Sequence, residues 1–265
     1  MGKIITVVEA VEGHFRRCAK EARSRFGEAV RPLYAPDSQG RPEVVASAVL
    51  VEIKGRRFLA TAAHALHIRG LRLRSGDNLI PMPTAFFGSV GKGERHDTVD
   101  IALALLSDEQ LRALDGLPFV GSADLMHSTP TEKRYQIAIG YRASQNKAPP
   151  GGTNELPLKR WSFTGFSAEL PQREGDIQYA DHNFGLEFSK FAVRDSGERV
   201  KNTPPTGVSG GAIFDLGSTA SMDQLGSAAP HPPRLTGIFI ECPRPGRVLV
   251  GTKIEVLREY AAEIR

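Results

Sequence analysis

The chain has 265 residues, 40% of them apolar, with 34 Lys and Arg against 30 Asp and Glu and a formal net charge of +4. That length buries a sizeable core as one large domain or as two small β-barrels, and no apolar stretch reaches the roughly 20 residues that cross a bilayer as a helix. The charge excess is too small and too dispersed to predict a nucleic-acid partner, and two cysteines, Cys18 and Cys242, exclude a disulfide framework.

The apolar run from Ile4 to Val8 is broken at once by Glu9, Glu12 and His14, so it does not read as a secretory signal. The mature protein is expected to start near Met1 and to work, soluble, in a reducing cytosol. From Val8 the apolar positions Val8, Val11, Phe15, Cys18, Ala22, Phe26 and Ala29 recur at three- and four-residue spacing, which predicts an amphipathic helix packed on the body of the protein. Its other face carries Arg16, Arg17, Lys20, Arg23 and Arg25. A solvated surface is the plainer reading of that run, and a docking face for an activating protein partner is the sharper one.

After the turn-rich stretch Pro36 to Pro42, Val44 to Ile53 is dense in β-branched residues; Lys-Gly-Arg-Arg and a second apolar run, Phe58 to Ala62, follow. This pattern predicts a β-hairpin. Further strands are expected around Ile101 to Leu106, Tyr135 to Ile139, Trp161 to Phe166, Phe184 to Phe188, Gly211 to Phe214, Leu235 to Ile240 and Arg247 to Thr252. Many short strands without βαβ alternation predict an all-β sandwich or barrel. Leu257, Tyr260, Ala261 and Ile264 place a docked helix at the end of the chain, and Ser107 to Pro130 reads as a crossover between two halves. The segments Ser144 to Pro157, Arg194 to Pro205 and Ser218 to Pro233 read as surface loops around a cleft.

Three short segments carry chemistry: Thr61-Ala62-Ala63-His64-Ala65-Leu66, Asp97-Thr98-Val99-Asp100-Ile101-Ala102-Leu103 and Gly207-Val208-Ser209-Gly210-Gly211-Ala212. A serine hydroxyl is a poor nucleophile until a base within hydrogen-bond reach takes its proton, and an imidazole serves as that base when a carboxylate holds its other nitrogen. In their order along the chain these segments resemble the signatures of the trypsin/chymotrypsin serine-protease family, and Leu235-Thr236-Gly237-Ile238 and Val250-Gly251-Thr252-Lys253-Ile254 extend the likeness over Val44 to Arg265.

The resemblance implies an all-β fold of two six-stranded antiparallel β-barrels, with helices at both ends. Residues 1–42 would be a helical extension, 43–130 the first barrel and 131–265 the second. It also implies His64 as base, Asp100 as its carboxylate and Ser209 as nucleophile, with the N–H groups of Gly207 and Ser209 forming the oxyanion hole. A peptide bond in a protein or peptide substrate would be cut through an acyl-enzyme, without metal or organic cofactor. In this respect the chain resembles intracellular bacterial trypsin-like peptidases, which implies a regulatory or defence-associated role. By position, Thr203, Ile240, Glu241, Cys242 and Leu249 fall around the substrate pocket. Thr203 is neutral, and Cys242 and Leu249 narrow the pocket, so a small or medium apolar residue is expected before the scissile bond unless Glu241 or a loop carboxylate supplies a charge for Lys or Arg.

The sequence departs from the family in two places. Many secreted members have an Asp before the nucleophile, which receives a new N-terminal amine after zymogen cleavage; Val208 stands there, so the pocket is expected to be preformed or ordered by a partner. Ala65 replaces the cysteine that often follows the histidine, in keeping with a reducing compartment. Other readings are weaker. His14, His67, His96, His127, His182 and His231 show no zinc spacing, and Asp97 is a rival to Asp100 by sequence distance alone. Gly207-Val208-Ser209-Gly210-Gly211 also fits the elbow of a serine esterase, but that fold places its acid and histidine after the serine, where only His231 stands. A protease-like fold kept as an inactive binding module is the alternative outside enzymology.

Overall fold

Thr6 caps the first helix reciprocally: its hydroxyl accepts from the Glu9 N–H while the Glu9 carboxylate accepts from the Thr6 N–H. In this computed structural model the residues described are 6–89, 99–128, 132–147, 158–171, 179–193, 198–218, 231–243 and 247–264. The helix, α1 (Val7–Phe26), buries Phe15, Cys18, Ala22 and Phe26 as the spacing predicts, together with His14. Val8 is exposed. The helix ends three residues before Ala29, because residues 27–29 tighten into a 3₁₀ turn that leads directly into a strand.

The first half holds β1 (Val30–Pro36), β2 (Pro42–Ile53), β3 (Arg56–Ala62), β4 (Arg72–Ser75), β5 (Asn78–Pro81), β6 (Phe87–Gly88) and β7 (Ile101–Leu105). They form one antiparallel sheet in the order β5-β4-β1-β2-β3-β7-β6. The expected hairpin is β2–β3, closed by Lys54 and Gly55 with φ of +50° and +75°, the backbone that a two-residue hairpin turn requires.

The second half holds β8 (Arg134–Tyr141), β9 (Arg160–Ala168), β10 (Asn183–Glu187), β11 (Phe191–Val193), β12 (Arg199–Lys201), β13 (Ala212–Ser218), β14 (Arg234–Glu241) and β15 (Val248–Lys253). Six of these close a barrel in the order β10-β15-β14-β13-β8-β9, and β11 pairs with β12. The fold is therefore mostly β, with α1 at one end and α3 (Ile254–Glu263) at the other. Among the described residues the second barrel has the expected six strands, and the sheet of the first half has seven.

The additional strands are short or carry buried charge. In β1, Arg31 and Pro32 interrupt the apolar run; Arg31 is nevertheless buried, because its guanidinium donates to the Arg74 carbonyl and pairs with Glu28 at 3.0 Å. Residues 1–42 are thus not wholly a helical extension. The helix docks on the second barrel, with Phe15 against Tyr135 (ring centroids 4.3 Å apart) and Phe26 stacked on Phe214 (4.9 Å), while the strand that follows it pairs within the first sheet. One segment ties both halves. The main apolar cluster has the same character: it joins Val49, Phe58 and Ile101 to Ile137, Phe214 and Ile238, and to Leu257 of α3.

The crossover carries a short helix, α2 (Asp108–Ala113), capped by Ser107 and Gln110. Asp97 and His96 lie outside the described residues, as do 148–157, 194–197 and 219–230 of the expected surface loops. Among the described residues no helix is long and apolar enough to cross a membrane.

Candidate active site

Strand register builds the first part of the site. Ala62 at the end of β3 pairs with Ile101 at the start of β7, so the residues just beyond, in the turn 63–67 and at Asp100, are brought side by side. Asp100 grips His64 twice: Oδ1 accepts from the His64 N–H (2.8 Å) and Oδ2 from ring Nδ1 (2.5 Å). The Asp100 carbonyl also accepts from the Ala63 N–H at 3.1 Å. With the carboxylate on Nδ1, the neutral ring carries its proton there and keeps Nε2 free as a base. The Asp100 hydrogen bond raises the His64 pKa above its ordinary value of 6.5, against the desolvation of the ring, and the charges of Asp100 and Glu241 add to the rise. Asp100 has φ +40°, a conformation that favours glycine and that Asp tolerates better than most residues. Strain of this kind gathers at functional sites.

Ser209 sits in the turn before β13. Gly207 and Gly210 flank it with φ of +88° and +85°, and a Cβ on Gly210 would stand 2.0 Å from the Ser47 carbonyl oxygen. The N–H groups of Val208, Gly210 and Gly211 are engaged with Pro205, Phe239 and Val208 carbonyls. Those of Gly207 and Ser209 have no acceptor among the described residues. Two neighbouring free donors in one tight turn are the elements of an anion hole.

Ser47, which no sequence motif marks, holds this turn from the opposite half. It lies fully buried in β2; its N–H donates to the Ser209 carbonyl (2.7 Å), and its hydroxyl donates to the Gly207 carbonyl (3.1 Å) and accepts from the Tyr141 N–H (2.9 Å). Its only signal in the sequence is a hydroxyl inside an otherwise apolar run. Ser47→Ala leaves the buried Tyr141 N–H without its partner and is expected to cost about 1–3 kcal/mol of stability, read as a lower denaturant midpoint. An unchanged midpoint would show that the turn is held by other contacts.

His64, Asp100 and Ser209 border a single cavity of about 380 Å³, which Ile240, Glu241 and Cys242 also line. The imidazole is half exposed and the carboxylate 16% exposed. The Ser209 hydroxyl makes no hydrogen bond to His64 or to any other described residue, and such bonds are often long in a free enzyme and tighten with substrate. Glu241 accepts from the Tyr179 hydroxyl at 2.7 Å. Two expected pocket residues stand elsewhere. Leu249 is fully buried in the second barrel's apolar cluster with Trp161, Phe163 and Phe188, paired in register with Leu186. Thr203 lies just beyond the cavity wall, where its carbonyl and hydroxyl accept from Arg142. His231, which an esterase reading would require, lies 3.6 Å from Asp215 and not on this cavity.

The architecture is the trypsin/chymotrypsin-like serine-protease fold. An HtrA-type protease, AlgW, solved with a tripeptide, overlays with a TM-score of 0.54 at 16% identity, over 92% of this chain and 62% of that one. The chain therefore spans about three-fifths of that protein's length. The MamO protease domain from Magnetospirillum magneticum is also similar, with a TM-score of 0.49 at 14% identity over 91% of this chain and 98% of that one. The serine protease domain of the Sesbania mosaic virus polyprotein gives 0.48 at 14% identity over 88% and 92%. No protein-family model and no curated protein matches the sequence.

Proposed function

We propose that this chain is a serine endopeptidase using Ser209, His64 and Asp100. As Ser209 Oγ bonds to the substrate carbonyl carbon, its proton passes to His64 Nε2, and the carbonyl oxygen becomes an anion held by the Gly207 and Ser209 N–H groups. Collapse breaks the C–N bond, the proton on His64 goes to the departing amine, and an acyl-enzyme is left. Water, deprotonated by His64, then attacks the ester and restores Ser209. Asp100 keeps the ring in the required tautomer throughout. Its two-point grip on His64, beside Ser209 on a shared cavity, is the observation that carries this reading.

In the same reading the enzyme works in a bacterial cytosol on a particular protein target, in a regulatory or defence role. Since the apolar face of α1 is occupied by the second barrel, an activating partner would meet its basic face, at Arg16, Arg17 and Lys20.

A fluorophosphonate probe tests the chemistry directly. The expected result is a single adduct, mapped by peptide mass spectrometry to Ser209 and lost in His64→Ala. A folded full chain that takes up no probe would favour an inactive binding module.

A further inference from the structure

Among the described residues three arginines are buried: Arg31, Arg74 and Arg142. Arg31 pairs with Glu28 at 3.0 Å and Arg74 with Asp77 at 3.4 Å. Arg142 has no carboxylate among the described residues, although it is only 8% exposed. Its guanidinium donates to the Thr203 carbonyl (2.8 Å) and more weakly to the Thr203 hydroxyl (3.4 Å), and it lies over the Trp161 ring at 4.7 Å. Nε is buried with no partner among the described residues. A guanidinium offers five N–H donors in a planar fork, so this one retains unused donors suited to a second, two-point acceptor. Burial pushes its pKa below the usual guanidinium value, an indication that its desolvation is uncompensated.

Arg142, like Thr203, stands behind the cavity wall rather than in its lining, and its neighbours relate this cation to the candidate site. Arg142 follows β8, and the next residue, Ala143, donates its N–H to the Thr206 carbonyl at 2.9 Å, so this segment runs alongside the loop before Ser209. Thr203, which holds the guanidinium, directly precedes Pro204, Pro205 and Thr206 in the cavity wall. Cys242, also on the cavity, lies within electrostatic reach of Arg142 and packs on the apolar cluster that contains Trp161. The surroundings are desolvated: Trp161 is 8% exposed and Asn146, whose Nδ2 donates to the Arg142 carbonyl at 2.8 Å, is fully buried; in such a place an ion pair is screened much less than at a surface. The carboxylate of Glu241 accepts from the Tyr179 hydroxyl at 2.7 Å, and its charge acts on His64.

We infer that the pocket beside Ser209 receives an acidic side chain, with Arg142 as the specificity-determining residue, so that cleavage follows Glu or Asp. This rests on the endopeptidase reading and replaces the apolar preference expected from Thr203, Cys242 and Leu249. Thr203 contributes by holding the guanidinium in place.

Peptidyl diphenyl phosphonates that differ only in the residue delivered to this pocket test it without requiring turnover. Labelling of the full chain by the Glu or Asp probe is expected to be at least about tenfold faster than by the Gln or Leu probe. Arg142→Met should remove that preference, and Arg142→Lys, which keeps the charge but not the fork, should retain part of it. Should Arg142→Met fail to fold, the wild-type and Lys arms decide. Equal or faster labelling by the Leu or a Lys probe, with fluorophosphonate labelling intact, would overturn this inference alone, as would an acidic preference that survives in folded Arg142→Met. Loss of fluorophosphonate labelling itself would instead strike the endopeptidase reading.

Discussion

Ser209→Ala is expected to lower peptide turnover by at least about 10⁴-fold while leaving the fold intact. The substitution removes one oxygen that makes no hydrogen bond to any described residue. What positions the turn is backbone: the Ser209 carbonyl still accepts from the Ser47 N–H, and the Gly210 N–H still donates to Phe239. The proposed anion hole would survive the change, since its donors are main-chain groups, so a small residual rate from binding and polarisation alone is the expected floor. The measurement is kcat on a cleaved peptide together with a thermal midpoint. Turnover near wild type in a protein free of contaminating protease would remove Ser209 from the mechanism.

Asp100→Asn is expected to cost about 10⁴-fold near neutral pH. An amide in place of the carboxylate can present its NH₂ to the ring, and Nδ1 must then accept; the proton moves to Nε2, which can no longer act as a base. The pH dependence provides a separate check. His64 must be neutral to take a proton, so the wild-type rate rises as pH increases through its pKa, which lies above 6.5 chiefly because of the Asp100 hydrogen bond. Removing that carboxylate shifts the acid limb of the kcat/KM profile downward. Stability runs in the opposite direction: a raised folded pKa means that the pair stabilises the fold below the ordinary histidine value and that this contribution fades as pH rises through the His64 value. A midpoint identical in both proteins would show that Asp100 does not control the imidazole.

Much of the fold is legible locally. The β-branched density of Val44 to Ile53 predicts a strand and residues Pro42–Ile53 form one; the barrel strands β8, β9, β10, β13, β14 and β15 are each announced by short apolar runs between turn residues. The strands β4, β5 and β6 are not, because two to four residues are too few to show an alternation. In β1 the charged side chain of Arg31 hides a buried strand, its burial becoming tolerable only when Glu28 and the Arg74 carbonyl meet it.

By itself, then, the sequence determines the strand-rich architecture and singles out His64, Asp100 and Ser209, because periodicity and local motifs are written in neighbouring residues. Only the tertiary structure places α1 on the second barrel, sets the Ser47 hydroxyl under the Ser209 turn, buries Leu249 away from the cavity and leaves Arg142 without a carboxylate beside it among the described residues. The physical reason is range. Each of those facts depends on groups from different elements, brought together by strand register and barrel closure, and no short window of the chain contains both members of such a pair.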